Sequence, residues 1–399
     1  MPRQLSVSMF NVGFGDCFLV EIPIGRKPFR ILFDCGRHSG GTKGNQELAN
    51  RVIAAARDPD GTARIDVIVG THRHKDHVSG FAADGWEQVQ VREVWMPWSE
   101  DPEDPNARGV VRRQLAAAAM ALKAWGPTTA LGAAEVKTAS LMGLALTNEA
   151  AMDTLYHGFA GDPVRRYLPD RDRPQEPLAL SGFPGIRFHV MGPTRDESTL
   201  GTMEPPKAET FRRLAAAAAE AAADGPLVPF PEVWHSATNP TGDVLTREEE
   251  ESIAGLSDQA NLTALSAAID NAINNTSLVV MIEVGEAFLL FCADAQWGNW
   301  KSILAQPHWR EMLARTTFLK VGHHASHNAS PVTLISALLP DGIPAMISVD
   351  PDAHSNVPYG KLLDAFTSRK FEVARSDEWA KAPGSYRAGQ DVVTLTMDF

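Results

Sequence analysis

The chain has 399 residues, 44% of them hydrophobic, enough material for one large core or two ordinary ones. Its 37 Lys and Arg stand against 49 Asp and Glu, a formal charge of -12, which opposes a broad nucleic-acid-coating surface, since that would be basic, but leaves room for a local cleft that takes one phosphodiester. No run of about 18 apolar residues occurs and MPRQLSVSMFNVG lacks the apolar stretch of a secretion signal, so the sequence predicts a soluble, cytoplasmic protein with no membrane partner.

Residues 4–12 alternate as a strand, Gly13-Phe14-Gly15-Asp16 turns, and 17–22 and 30–33 are two further strands, the last ending in Asp34-Cys35-Gly36. Leu48, Val52, Ile53 and Ala56 share one helical face, which predicts a helix over 45–57, stopped by Asp58-Pro59-Asp60-Gly61. Ile65-Asp66-Val67-Ile68-Val69 reads as a buried strand, and it runs straight into THRHKDHVSG, residues 71–80. A returning helix from about residue 78 and a strand over 91–96 follow. Between 100 and 185 the pattern loosens, with helices over 114–125 and 150–159 and a loop over 170–177. A strand over 186–191 precedes a second irregular region, which holds an Ala-rich helix over 208–223 and an acidic run at 248–251. Both irregular regions, about 100–185 and 194–271, read as helical insertions over the mouth of a site, where function-bearing loops concentrate. From 272 the rhythm is clean: strands over 277–284 and 287–291 around Gly285-Glu286, then helices over 300–304 and 309–315. A strand over 317–321, a helix over 332–339, a strand over 345–349, a helix over 359–368 and a last strand over 391–397 complete it. Cys17, Cys35 and Cys292 each sit in or beside an apolar run and read as small buried hydrophobes rather than a disulfide framework.

The segment THRHKDH carries the densest chemistry, with His72, His74, Asp76 and His77 within six positions. A turn at a strand's carboxyl end points several side chains at one spot, whereas a strand alternates them and a helix spreads them round a cylinder. Imidazoles with a carboxylate on one small loop suit a borderline divalent ion such as zinc. The bland alternative is a histidine-rich surface loop, which the preceding buried strand argues against. Asp294, in FLLFCADA, follows another buried strand; it is either a metal ligand or the cap of the next helix. Asp16 and Asp34, each beside a glycine, are either turn residues or supports for the ligating histidines.

The segment THRHKDH resembles the HxHxDH signature of the metallo-β-lactamase superfamily, and the likeness extends over most of the chain. The series FNVGFGDCFLVEIP and ILFDCG is similar to the superfamily's opening hairpins, FLLFCADA to its "LLTGDA" and GHHASHNAS to its "GHHGS" loop. The nearest flavour is the hydrolase domain of the competence protein ComEC and its soluble relatives. The resemblance implies a four-layer αββα sandwich formed as a single domain over 1–399. Its first half would lie in about 1–100, its second in about 186–193 and 272–399. It implies two divalent ions, zinc or alternatively manganese. His72 and His74 would hold the first; Asp76, His77 and either His323 or His324 the second, with a slight lean to His323; Asp294 would bridge. Asp76 would also orient the nucleophilic water, and His354, where relatives carry "N.YGHP", would face substrate. Many members carry a further histidine for the first ion, which ComEC-like members tend to lack. Here the matching stretch is 188–193, with His189 two residues early, either a ligand or a structural histidine; Asn274-Asn275-Thr276-Ser277 resembles the "N.SSLVL" element of ComEC-like proteins, where an Asn amide could approach metal or substrate or else serve a turn before the strand.

Three functions follow. A two-ion site suits in-line displacement at phosphorus, hence a phosphodiesterase or nuclease acting on a small phosphodiester-containing substrate. The same activated water could open a lactone, thioester or β-lactam. A binding module without catalysis is the third, and the electrostatic cost of gathering unused histidines and aspartates around one point opposes it.

Overall fold

The structure, a computed structural model, describes residues 3–25, 27–39, 41–107, 148–200, 202, 204–211, 272–352 and 357–399. The helix predicted over 114–125, most of that over 208–223, the acidic run at 248–251 and His354 lie outside the described residues.

Strands β1 (Gln4–Phe10), β2 (Phe18–Ile24), β3 (Lys27–Phe33), β4 (Arg64–Val69), β5 (Gln90–Pro97) and β6 (Val164–Leu168) lie in one sheet. Strands β7 (Ile186–Gly192), β8 (Val279–Val284), β9 (Ala287–Phe291), β10 (Phe318–Lys320), β11 (Pro344–Ile347) and β12 (Glu372–Arg375) form the other. The last two, β13 (Tyr386–Ala388) and β14 (Val392–Asp398), return to the first sheet, where β14 pairs antiparallel with β1. The first sheet runs β13-β14-β1-β2-β3-β4-β5-β6 and the second β12-β11-β10-β9-β8-β7.

Period-two burial sorts the side chains into layers. Val7, Met9, Ile31, Val67 and Val69 from the first sheet meet Val280, Ile282, Leu289 and Phe291 from the second in a central core, where Phe33 stacks on Phe291. The alternate residues Leu32 and Ile68 turn outward under Leu48 and Val52 of the helix Gly41–Ala55. On the far side Val279, Met281 and Leu290 meet Trp300 of the helix Trp297–Leu304, Leu313 of Pro307–Leu313 and Phe366 of Gly360–Ser368. The order is helix, sheet, sheet, helix, as the resemblance implied, and neither sheet closes into a barrel.

Three sequence expectations change. Instead of a returning helix after residue 78 there is one turn, Lys75–Val78, then the tight turn Ser79–Ala82. Gly80 lies against Cys35, where a Cβ would fall 2.6 Å from its carbonyl oxygen, so the chain is pinned to β3's end instead of winding on. Residues assigned to the first insertion supply β6, an edge strand parallel to β5. The late strands β13 and β14 belong to the first sheet, so the halves are not divided as the sequence suggests.

Both sheets are mixed. Strands β3, β4, β5 and β6 run parallel, as do β9, β10, β11 and β12. Loops at the carboxyl ends of parallel strands are where α/β sheets gather ligands. Here β3 delivers Asp34, β4 delivers residues 70–77, β9 delivers Asp294 and β10 delivers His323 and His324. Because β8 is antiparallel to β9, its entry, 274–277, reaches the same place. Leu278 N donates to Thr71 O at 3.0 Å, tying the two sheets together at this point.

Candidate metal centre

The loop after β4 is held by backbone on two sides. Asp16 N donates to Asp76 O at 2.9 Å and Cys35 N to His77 O at 2.9 Å. Such contact requires the smallest residue at Gly36, where a Cβ would stand 2.3 Å from Asp76 C and His77 N. The sequence shows that glycine only as part of an Asp-Cys-Gly turn; its close approach is a tertiary fact.

On this platform Asp76, His77, Asp294 and His324, all buried, each offer one ligand atom, and the four atoms lie within 4.8 Å of one another. His77 Nε2 stands 3.2 Å from Asp294 Oδ2, and His324 Nε2 is 3.2 Å from Asp76 Oδ2 and 3.8 Å from Asp294 Oδ2. His77 Nε2 and Asp294 Oδ1 are buried with no hydrogen bond. Buried polar atoms left so are costly, which is the mark of a site shaped for a cation. The fit extends to proton placement. His77 Nδ1 donates to Asp34 Oδ2 at 2.7 Å, and His324 Nδ1 donates to Ser348 O at 2.8 Å. Both acceptors lack protons, so in each ring Nε2 is the atom that faces the cluster. Asp34 is itself fixed by Thr71, whose N and Oγ1 donate to it at 2.8 and 2.7 Å. Asp34 therefore fixes the His77 ring and is more than a turn residue.

His72 and His74 form a neighbouring group. The Thr71 hydroxyl, having given its hydrogen to Asp34, accepts from His72 Nδ1 at 3.2 Å, with Ser277 Oγ also 3.2 Å away. His72 Nε2 then lies 3.1 Å from His74 Nδ1, which lies 2.9 Å from Asn274 Oδ1. Ser277 Oγ also accepts from Asp294 N at 3.3 Å, joining this group to the first.

Charge is out of balance here. Asp16, Asp34, Asp76 and Asp294 are buried, and the lysine among them is Lys320. Its Nζ pairs with Asp16, bonds Ala293 O at 3.3 Å and lies 3.9 Å from Asp294 Oδ1. The titrations follow. Burial would lower the pKa of His77, but Asp294, Asp34 and Asp76 hold it well above its ordinary value. Burial would raise Asp294, yet His77, His323 and His324 bring it well below the carboxylate range. Burial followed by His77 and His74 pushes His72 well down, and burial lowers His74, keeping both available as neutral ligands. Burial raises the Cys292 thiol to about 12, so it stays protonated and outside the cluster.

The choice between the paired histidines is geometric. His324 is buried in the cluster, whereas His323 sits on the rim with its side chain 21% exposed and Nε2 3.8 Å from Asp294 Oδ2. The lean to His323 is therefore reversed. Residues 323–325 have φ of 45°, 51° and 64°, a left-handed run that costs about 1–2 kcal/mol per residue. Asp34 and Ala293 share that conformation, so five of the seven such non-glycine positions among the described residues adjoin this site. Strain of this kind persists where surrounding contacts dictate side-chain aim. His189 is not part of the group; its Nε2 pairs with Glu283 Oε2 at 2.7 Å across β7 and β8. His327 pairs with Glu204 at 3.2 Å. Among the described residues no helix is long and apolar enough to cross a membrane. Compared with protein-family models and with curated proteins, the chain matches none.

Proposed function

We propose that this chain is a metal-dependent hydrolase of the metallo-β-lactamase type that cleaves phosphodiester bonds with water, using two divalent ions, zinc or manganese. Above all, the convergence of Asp76, His77, Asp294 and His324 from three separate stretches, with buried atoms left without hydrogen bonds, supports this reading. In it, His72 and His74 would hold one ion and Asp76, His77 and His324 the other, with the Asp294 carboxylate available to both. Bound there, the ions would lower the pKa of water and stabilise charge developing on phosphoryl oxygens. The remaining work belongs to side chains. Asp34 and Ser348 O keep the His77 and His324 protons on Nδ1, and Asp76 orients the attacking water. His323, on the rim, gives a proton to the departing alkoxide. The motif resemblance favours phosphorus over carbonyl carbon, and the acidic balance of the chain favours a small substrate over a long nucleic acid.

Purified protein is expected to carry divalent metal and to hydrolyse bis-p-nitrophenyl phosphate faster than a lactone. His74→Ala and Asp294→Ala should abolish turnover while circular dichroism shows the fold retained. Turnover of the lactone alone would transfer the protein to carbonyl hydrolysis. Metal without turnover of either substrate would make it a binding module.

A further inference from the structure

The group beside the main cluster contains three atoms, linked in a row by two short contacts, that can each present a lone pair. Asn274 Oδ1 is an amide oxygen and accepts only. His72 Nε2 is bare because Nδ1 carries that ring's proton. His74 Nδ1 lies between them, 2.9 Å from the one and 3.1 Å from the other, and all three residues are buried. Without a metal, a single proton on His74 Nδ1 serves two acceptors. A cation would satisfy all three atoms at once. The spacing is that of ordinary hydrogen bonds, and it is also the spacing of ligands around one ion. Donors about 2.1 Å from a common ion stand about 3.0 Å apart at right angles and about 3.4 Å apart in a tetrahedron. Distances of 2.9 and 3.1 Å match the right-angled arrangement.

We propose that the Asn274 side-chain oxygen is the third protein ligand of the first ion, completing with His72 and His74 a site that loads second and more weakly than the one built by Asp76, His77 and His324. The inference deepens the hydrolase reading and rests on it. An amide oxygen carries no charge and is a harder, poorer donor to zinc than imidazole. It also favours six-fold coordination, which manganese accepts readily and structural zinc does not. The second site has the charged Asp76, with Asp294 at its edge, so its ion is held more firmly. The entry to β8 is rigid enough for the task. Asn275 Oδ1 accepts from Gln296 N at 3.1 Å, Asn275 Nδ2 donates to Leu200 O at 2.9 Å, and Ser277 N donates to Asn274 O at 3.0 Å.

The test is a metal titration of the full chain with Zn2+ and Mn2+, read by competition with a chelating dye and by the Mn2+ resonance signal. Wild-type protein is expected to bind two ions of unequal affinity. Asn274→Ala should weaken the looser ion by about tenfold or more and leave the tighter one unchanged. Asn274→Asp, nearly isosteric and suited to retain the fold, should tighten the looser ion, and Asn274→His should raise its Zn2+ affinity relative to Mn2+. Two ions bound by Asn274→Ala with wild-type constants would overturn the inference and leave the hydrolase reading standing. So would a single wild-type ion that is lost in His324→Ala but indifferent to Asn274. Failure of wild-type protein to bind either metal would instead remove the hydrolase reading itself.

Discussion

Strand β4 carries a buried charged cluster at each end, and the two are built on opposite plans. At its start, Arg64 and Asp66 join Arg30 and Asp58. Arg30 meets Asp58 at 2.7 Å, Arg64 meets Asp66 at 2.6 Å and Asp58 at 3.3 Å, and Asp66 also accepts from Arg30 N at 2.9 Å. With Lys27 also on Asp58 and Glu21 also on Arg30, three carboxylates face three cations, and none of Arg30, Asp58, Arg64 and Asp66 leaves a buried polar atom without a hydrogen bond. At the other end, six residues or about 20 Å away, Lys320 pairs with Asp16, one of four buried carboxylates, and His77 Nε2 and Asp294 Oδ1 are left over. One cluster completes its own hydrogen bonding; the other leaves buried lone pairs that a cation could take up. Burial of charge marks both, so burial alone does not identify a site. Leftover lone pairs gathered within 4.8 Å of one another distinguish this end.

The comparison can be broken from either end. Asp58→Ala leaves Arg30 and Arg64 facing one another without their shared carboxylate. It should cost about 3–5 kcal/mol of stability, the usual penalty for breaking a buried pair. Urea unfolding measures that loss, while metal content per folded chain should not change. Asp294→Asn should do the reverse. It removes one of several crowded negative charges, so metal-free stability should shift far less than in Asp58→Ala. The stabilisation that metal confers on wild-type protein, about 2.7 kcal/mol at a hundred times the dissociation constant, should disappear in the variant. Comparable destabilisation by both substitutions, with metal stabilisation intact in Asp294→Asn, would erase the distinction between the two ends.

A smaller effect separates the neighbouring histidines. His324→Ala removes a buried ligand atom and should weaken metal binding by about a hundredfold or more; His323→Ala, on the rim, should change it by less than about threefold. Equilibrium dialysis against zinc distinguishes them, and equal losses would place His323 among the ligands.

How much of this was legible in the sequence depends on how local each feature is. His72, His74, Asp76 and His77 declare themselves because one loop holds them behind one strand. Asp294 and the 323–324 pair are legible because each follows a strand whose burial shows in its composition. The order helix, sheet, sheet, helix follows from the same rhythm. That His324 and not His323 enters the cluster follows from three consecutive left-handed residues, a run that alanine disfavours and no sequence periodicity announces. Asp34 as the partner of His77, and Gly36 as the residue that admits the loop's backbone, arise from approach between β3 and the loop after β4. Strand β6 was hidden because VRRYL is an edge strand whose polar residues are only half buried.

The smallest expected effect is in pH, where the two clusters should respond in opposite directions. Burial works against ionisation of Asp58, but bonds from Lys27, Arg30 and Arg64 bring its pKa down to about 2. A carboxyl lowered in this way stabilises the fold above its unfolded value of about 3.9, and the contribution drains away as pH falls toward about 2. His77 and His324 are raised instead, against the effect of burial: by Asp294, Asp34 and Asp76 for the first, and by Asp294, Asp76 and Asp16 for the second. Their contribution is whole below the unfolded imidazole value of about 6.5 and is lost as pH rises through the raised folded values. Metal-free protein should therefore weaken on the alkaline side. An incoming ion must displace these protons, so its affinity should rise with pH and binding should release protons. Calorimetry in buffers of different ionisation enthalpy counts them. Metal binding at pH 7 with no proton release would mean that His77 and His324 are already neutral, and that their pairing with the carboxylates does not hold the metal-free site together.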